Sequence, residues 1–547
     1  MKQKNLLTSL LIGGLITAPL IATSYLGNQL FGLAFVPFDV FDWMTRLLPG
    51  PVITFGIDLM IDTLRFLGIN VANTAKIAEQ SIAILQYFGM GIVAGAVFFV
   101  VLKRLEVKTK LLSGIVIGAL FGFPAMAISI GVGASTLNPI LNLLWLLVLF
   151  LAWGVGLIQI SEKLRQFEAT PAIVPSEAVE KSASVQKVSR RTFLVLLGAG
   201  AATITVIGTG LGALFSSNER QRESGDTMAH GDAEGPKGKP FPNADDPVIP
   251  VPGTRPEYTP VKDHYQVFIE LEPTEIDGST WKLPITGMVD NPLMLTLDDI
   301  RNNYPSRDQY VTLSCISGRI GTSLISTTYW TGVSVQDILA DIGVQENARY
   351  LYITSGDGYY ETVPLDLIYS DPRIMFCYAW DGNTLPVGHG YPLRIWIPDR
   401  FGMKQPKWIT GVEVTDTYKK GYWVERNWDE TAQVRTTSVI DTVAVDHVVE
   451  RGGQQYIPIG GIAFAGARGI SQVEVRVDGG PWEQAQLRSP LSETTWLIWR
   501  YEWPFQTGDH TFEVRCYTAE GELQILEEAP SRPAGATGIH SVEETIS

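Results

Sequence analysis

Of the three cysteines in this 547-residue chain, Cys315 is the one placed for chemistry. It closes the strand-like run Val311-Thr-Leu-Ser314 and is followed by Ser317, Gly318, Gly321 and Thr322 rather than by more core. His389-Gly-Tyr-Pro-Leu-Arg394 and Gly402-Met-Lys-Gln-Pro-Lys-Trp408 come later. Three readings fit a cysteine so placed. It can be a buried, inert thiol at a strand end. It can be a nucleophile with a histidine base, as in a surface hydrolase or transpeptidase, with Arg319 nearby and His264 upstream. It can also be a thiolate ligand to a soft or high-valent metal. The two later stretches favour the third reading. A hydrolase needs one base and one orienting group, whereas an arginine offers a planar fork to a phosphate and glycines let backbone N–H groups approach an anion. Arg394 sits inside the apolar run Leu393–Ile397, so a solvated hairpin accounts for it poorly.

The rest of the chain must position those residues. At this length two to four domains are expected, and the charge divides sharply. Residues 1–217 carry 15 Lys/Arg against 10 Asp/Glu, which leaves a net charge of −20 for 218–547. The first part is apolar; the second reads as an acidic, aromatic-rich globule. Acidity argues against nucleic acid as a partner.

Uncharged stretches long enough to span a bilayer occur at 6–25, 82–102, 111–133, 139–161 and 192–217. The stretch 51–68 carries Asp58, Asp62 and Arg65 at helical spacing and reads as an amphipathic interfacial helix. With five spans, the basic clusters around Lys2–Lys4, Lys103–Lys110 and Lys163–Arg191 all fall on the cytoplasmic side. The N-terminus is then inside, and everything after 217 is outside. Ser189-Arg-Arg-Thr-Phe-Leu194, directly before the last span, resembles the twin-arginine signal by which bacteria export folded proteins. Folded export suits a domain whose cofactor is inserted in the cytoplasm. The first histidine of the chain is His230 and there is no Cys-x-x-Cys-His, so no haem is expected in this chain.

Residues 218–263 are rich in Glu, Asp, Gly, Pro and Lys and read as a linker. From 264 to 435 strand-like and helical stretches intermix without βαβ repeats, which suggests α+β. The expected pieces are Trp281–Met288, helix Thr296–Asn303, strand Tyr310–Ser314, helix Ser334–Ile342 and strand Arg349–Thr354. Globular sequence opens with the alternation His264–Leu271, and Asp357-Gly358 and Asp381-Gly382 read as turns. From 436 to 547 the pattern is all β. Val473–Trp482, Trp496–Trp503 and His510–Tyr517 alternate at about ten-residue spacing, as in an immunoglobulin-like sandwich. Cys377 and Cys516 read as core thiols.

Leu313-Ser-Cys315, Ile325–Val333, Ser355-Gly-Asp-Gly-Tyr359, Leu385–Arg394 and Tyr422-Trp423, in this order and spacing, resemble the sulfite oxidase family of molybdopterin enzymes, above all its bacterial membrane-anchored branch. The likeness covers roughly 264–530. It implies a fold of three parts: an α-helical transmembrane region, a sulfite oxidase-like α+β molybdopterin-binding domain, and an all-β immunoglobulin-like dimerisation domain. It implies a molybdenum-molybdopterin cofactor with Cys315 as the thiolate ligand to Mo. His389 and Arg394 would hold the pterin and its phosphate, Gln405 and Lys407 would close on the same phosphate, and Ser355 and Tyr265 fall where the family contacts the cofactor. Arg319 could attract an oxyanion substrate, or be a surface charge. Sulfite oxidases proper carry two consecutive arginines after the cysteine, where this chain has Arg319-Ile320, which weakens sulfite as the substrate.

The implied partners are a small molecule, a separate electron carrier (a cytochrome c, a cupredoxin or a membrane quinone partner), the twin-arginine machinery, the lipid bilayer and a second copy through the C-terminal domain. The expected activity is oxygen-atom and two-electron transfer on a small oxyanion or sulfoxide-type substrate. A cysteine hydrolase, or a binding module that keeps the fold without redox chemistry, remains the alternative.

Overall fold

The computed structural model describes residues 2–67, 71–105, 110–132, 139–169, 190–225 and 236–547. Two compact units separate: Met1–Leu48 with Lys76–Gly225, and Pro49–Ala75 with Asp226–Ser547.

The first unit is helical. Five described stretches are long and apolar enough to cross a membrane: Leu7–Phe31, Lys76–Phe98, Leu111–Gly131, Ile140–Leu164 and Arg191–Thr209. They overlap each of the five expected spans with ends shifted by up to eight residues; position 133 lies outside the described residues. Small residues set their close approach, as between helices in lipid. A Cβ on Gly154 would collide with the Gly114 carbonyl oxygen, and one on Gly95 would stand 2.5 Å from Gly13 Cα. A short helix, Val36–Leu47, is buried over Val36–Val40, and Ser129 Oγ donates to Asp39 Oδ2 at 2.5 Å. Arg190-Arg191 opens the helix Arg190–Gly225; Ser189 of the expected export motif lies outside the described residues.

In the second unit the stretch expected to be interfacial forms the helix Gly50–Phe66, which leaves Phe55, Leu59 and Phe66 exposed; position 68 is outside the described residues. Residues 236–263 run along the surface of the β-rich part. Of the expected linker, 226–235 lie outside the described residues.

Two sheets carry the functional region. One has the order Leu293–Thr296, Lys282–Gly287, Ile409–Thr415, Tyr350–Ser355, Tyr360–Pro364, parallel only between Lys282–Gly287 and Ile409–Thr415. The other runs Ser306–Ser314, Ile325–Ser334, Met375–Trp380, Asn383–Thr384, with Arg394–Trp396 also on Met375–Trp380. Helix Leu297–Asn303 starts at a capping box in which Thr296 and Asp299 satisfy each other's backbone N–H groups. Helix Val335–Ile342 stops at Gly343, whose φ of 63° suits a residue without Cβ. Leu283, Ile285, Ile338, Leu351, Ile353, Ile395 and Val412 fill the core between these layers. The hairpin at Asp381-Gly382 has φ of 53° and 81°, the mirror-image turn that matches strand twist.

The α and β pieces expected from sequence are therefore present within a few residues. His264–Leu271, where globular sequence is expected to open, forms no strand and follows a short 3-10 turn, Val261–Asp263. Within it, Tyr265 packs into the second sheet's core with Val311, Leu313 and Trp330.

The C-terminal residues form two further antiparallel sheets. One has the order Thr437–Val443, Gln454–Phe464, Leu497–Pro504, Gln486–Leu487, and the other Glu483–Gln484, Ile470–Val477, Gly508–Thr518, His540–Ile546. Trp499, Trp503, Phe512, Val475 and Cys516 lie in the core they share. All three cysteines are unbridged, and burial pushes the Cys377 and Cys516 thiols up to about 12.

Candidate functional site

Cys315 is the first residue after the strand Ser306–Ser314, at the mouth of a loop that returns into Ile325–Ser334. The loop is tied to itself. Cys315 N donates to Leu324 O at 3.0 Å, Gly318 N donates to Cys315 O at 3.1 Å, and Thr322 N donates to Arg319 O at 3.1 Å. The thiol lies 3.1 Å from Ser317 Oγ. Burial raises its pKa and Ser317 opposes the rise.

The Gly402–Lys404 turn meets this strand end. A Cβ on Gly402 would stand 3.5 Å from Tyr265 Oη and 3.6 Å from Ser314 O, and the Met403 carbonyl accepts Tyr359 Oη at 2.5 Å. Tyr359 closes the turn after Ser355, and Gly356 N donates to Trp408 O at 2.8 Å. The turn thus gathers parts of both sheets: Cys315 from one and Ser355 from the other.

His389 and Arg394 approach from a third direction. His264, His389 and Trp380 form an edge-to-face triangle, with ring centroids 5.1, 4.9 and 4.7 Å apart. Tyr265 stacks on His264. Burial drives His264 down to about 3 and His389 well below its ordinary value, with Arg394 and Lys407 adding to both. Both imidazoles are therefore neutral. Gln266 Nε2 sits 3.3 Å from His389 Nε2.

Arg394 is 3% exposed. Its guanidinium lies over Trp330 at 4.3 Å, and Nη1 donates to His389 O at 2.9 Å. Burial pushes its pKa down to about 10, against Cys377 and Tyr265, which favour the charged form. Among the described residues no carboxylate favours its charged form, and its Nε has no hydrogen-bond partner. A buried cation without a counter-charge costs several kcal/mol, on the order of 3–5.

Lys407 Nζ donates to Val267 O at 3.1 Å and to Gly388 O at 3.2 Å, above the rings of Trp408 and Phe268. Gly390, at φ 113°, separates it from Arg394; a Cβ there would stand 3.0 Å from Lys407 Cβ and 3.2 Å from Arg394 Cβ. Trp408 adopts φ 51°, a conformation a bulky residue rarely takes outside functional sites. Gln405 Nε2 donates to Arg400 O at 2.8 Å and Ile397 O at 3.3 Å, leaving Oε1 without a partner.

Of the residues named from sequence, Cys315, Tyr265, Ser355, His389, Arg394, Gln405 and Lys407 are buried or half-buried around these contacts, whereas Arg319 is exposed on the loop. The sequence reading passed over Gln266, Ser314, Trp330 and Lys404. Lys404 Nζ is locked to Glu361 Oε1 at 2.6 Å, with both side chains buried. Its one local signal is a lysine beside Met403 in the glycine-led stretch already singled out.

The residues present fit a large anionic, polar group. His264 Nε2, Tyr265 Oη, Ser314 Oγ, Ser355 Oγ, Arg394 Nε and Gln405 Oε1 are all buried without a hydrogen-bond partner among the described residues. Buried polar groups are almost always paired, so these six atoms leave hydrogen-bonding capacity that a bound polar group would take up.

The oxidoreductase molybdopterin-binding domain family matches residues 270–423. The chain is 30% identical over 151 residues to the uncharacterized oxidoreductase YuiH of Bacillus subtilis, covering 28% of this chain and 73% of that protein. It is 26% identical over 295 residues to the mitochondrial sulfite oxidase of Macaca fascicularis, 46% of this chain and 54% of that one. It is 30% identical over 159 residues to a putative protein-methionine-sulfoxide reductase subunit, YedZ1, of Azospira oryzae, 29% of this chain and 58% of that one. The chain belongs to the sulfite oxidase family of molybdopterin-binding oxidoreductases. It spans a little over half the length of the sulfite oxidase and sulfoxide reductase relatives.

Proposed function

We propose that the protein is a membrane-anchored, extracytoplasmic molybdenum-molybdopterin oxidoreductase that transfers an oxygen atom and two electrons on a small oxyanion or sulfoxide-type substrate. One observation carries it: the buried Arg394, without a counter-charge among the described residues, amid five further orphaned polar atoms next to the Cys315 strand end. When bound, the cofactor supplies a two-electron metal centre that can exchange an oxygen atom. Cys315 would ligate the metal. Arg394 and Lys407 would neutralise the phosphate, and Tyr265, Ser355 and Gln405 would hydrogen-bond the cofactor's polar edge. Neutral His264 and His389 would orient it without adding charge. Arg319, exposed on the same loop, would draw an anionic substrate toward the metal.

The five apolar helices support anchoring, and the positive clusters support an inside N-terminus with the catalytic part outside. The exposed apolar side chains of Gly50–Phe66 suit a helix at the membrane surface. Arg190-Arg191 supports folded export by the twin-arginine route. The two C-terminal sheets are read as an immunoglobulin-like sandwich able to pair two copies, and electrons are read as leaving through a separate carrier. Metal analysis of the purified full chain tests the central reading. About one Mo per chain is expected, lost or spectrally altered in Cys315→Ala. Unchanged Mo with an unchanged spectrum in that variant would rule out direct ligation.

A further inference from the structure

We infer that Arg255 is a positioning residue for the Cys315 loop, latching it to the first C-terminal strand, so that the C-terminal sheets support the metal site through that loop. This rests on the reading of Cys315 as a metal ligand.

Arg255 lies in the segment before the α+β part. Its Nε donates to Asp441 Oδ1 at 2.9 Å and Oδ2 at 3.0 Å, its Nη2 donates to Oδ1 at 2.6 Å, and its backbone N donates to Oδ2 at 3.2 Å. Asp441 belongs to the strand Thr437–Val443. The remaining arm of the fork, Nη1, donates to Thr322 O at 3.3 Å. One planar guanidinium therefore joins the cysteine loop to a strand more than a hundred residues further along. Arginine can do this and lysine cannot, because the donors leave in fixed directions.

The restraint reaches the thiol through short links. Thr322 Oγ1 accepts Leu324 N at 3.2 Å, and Leu324 O accepts Cys315 N at 3.0 Å. Ile316, the residue after the cysteine, is packed with Val439, Ile462, Trp496 and Ile498 of the C-terminal sheets. The Arg255 guanidinium lies 5.9 Å from the Trp496 ring centroid. The loop's far side is closed by His540, which would stand 2.6 Å from a Cβ on Gly321. Ile316 and Gly321 of the loop thus rest on C-terminal residues, and Arg255 adds a polar tie at Thr322. A thiolate that must meet a metal within tenths of an ångström needs such a second layer of support.

The test is alkylation of Cys315 by iodoacetamide in the full chain, followed by mass spectrometry, with Mo content measured on the same samples. Buried Cys377 and Cys516 serve as internal references. Arg255→Ala is expected to speed Cys315 labelling about tenfold, the factor that corresponds to about 1.4 kcal/mol of lost restraint, while Cys377 and Cys516 stay unchanged. Asp441→Asn, which keeps the shape, is expected to give a smaller rise, and Arg255→Lys is expected to behave like alanine. Arg488→Ala is the control for general loosening. Arg488 anchors the same segment through Glu257 and the carbonyls of Asn243 and Val248 without touching the loop. It should leave Cys315 labelling at the wild-type rate. Equal labelling in Arg255→Ala and wild type overturns the latch, as does an equal rise in Arg488→Ala. A wild type without Mo refutes the metal reading alone, because the labelling comparison still stands.

Discussion

Replacing Arg394 by methionine separates a cation waiting for an anion from a structural strut. The side chain is 3% exposed, and its pKa falls from 12.5 to about 10 through burial. That fall corresponds to about 3 kcal/mol held against the charged form. Because the folded value is the lower one, the cost is present in full at neutral pH and is relieved only as pH rises through about 10. Methionine keeps much of the volume and removes the charge. It also forfeits the bond to His389 O and the stacking over Trp330, together about 1–2 kcal/mol. In protein prepared without molybdenum cofactor, the variant should therefore be as stable as wild type or more so, by about 1–2 kcal/mol. For a chain this long that is a rise of a few degrees in the unfolding midpoint of the β-rich unit. Protein prepared with the cofactor should show the reverse, a lower midpoint together with a fall in bound Mo. Differential scanning fluorimetry of both preparations in detergent, with Mo measured by mass spectrometry, reads each arm. A drop of more than about 3 kcal/mol in the cofactor-free variant would falsify the argument, since Arg394 would then be holding the fold itself. Full Mo retention in the variant would remove it from the cofactor's binding set.

The buried histidines set an acid limit. Unfolded histidines take up protons below about pH 6.5, whereas His264 resists to about 3 and His389 lies well below its ordinary value. Each therefore costs stability as pH falls from 6.5, by up to about 1.4 kcal/mol per pH unit. The unfolding midpoint of cofactor-free protein should drop between pH 7 and pH 5, and His264→Gln should make the slope shallower; an identical slope contradicts the assignment. Arg190→Lys together with Arg191→Lys should retain the β-rich unit on the cytoplasmic side, where protease added to whole cells cannot reach it. Normal protease access in that double variant would dismiss the export reading.

How much of this was legible in sequence depends on how local the signal is. The apolar helices announce themselves as uncharged stretches, because a bilayer demands continuity along the chain. Cys315 and Arg394 stand out for a similar reason: one ends an apolar run with glycine and serine, and the other interrupts an apolar run with a charge. The contacts that complete the site have no such signature. Lys404 meets Glu361 across 43 residues, and Arg255 meets Asp441 across 186. Neither pair has a period or spacing that a one-dimensional pattern could carry. The placement of His264 and Gln266 is hidden for a related reason. Their alternation with apolar neighbours resembles a strand, but tertiary packing sets both against His389, since a residue's partner is set by the fold rather than by its two neighbours. Trp408's backbone conformation is equally hidden, because nothing in Lys407-Trp-Ile409 marks a positive φ.

The strand Ser306–Ser314 is the outermost of its sheet. Its free side is taken by the C-terminal part: Thr312 N donates to Thr494 O at 3.1 Å, Ser492 Oγ and Thr494 Oγ1 donate to Tyr310 O, and Trp496 N donates to Thr312 Oγ1. An uncovered strand edge is a template for aggregation. A chain ending after Thr436 would bare that edge on the very strand that delivers Cys315, and would tend to precipitate by edge-to-edge pairing rather than persist as a smaller enzyme. Solubility during biosynthesis thus depends on the last hundred residues being made before the region ahead of them is safe.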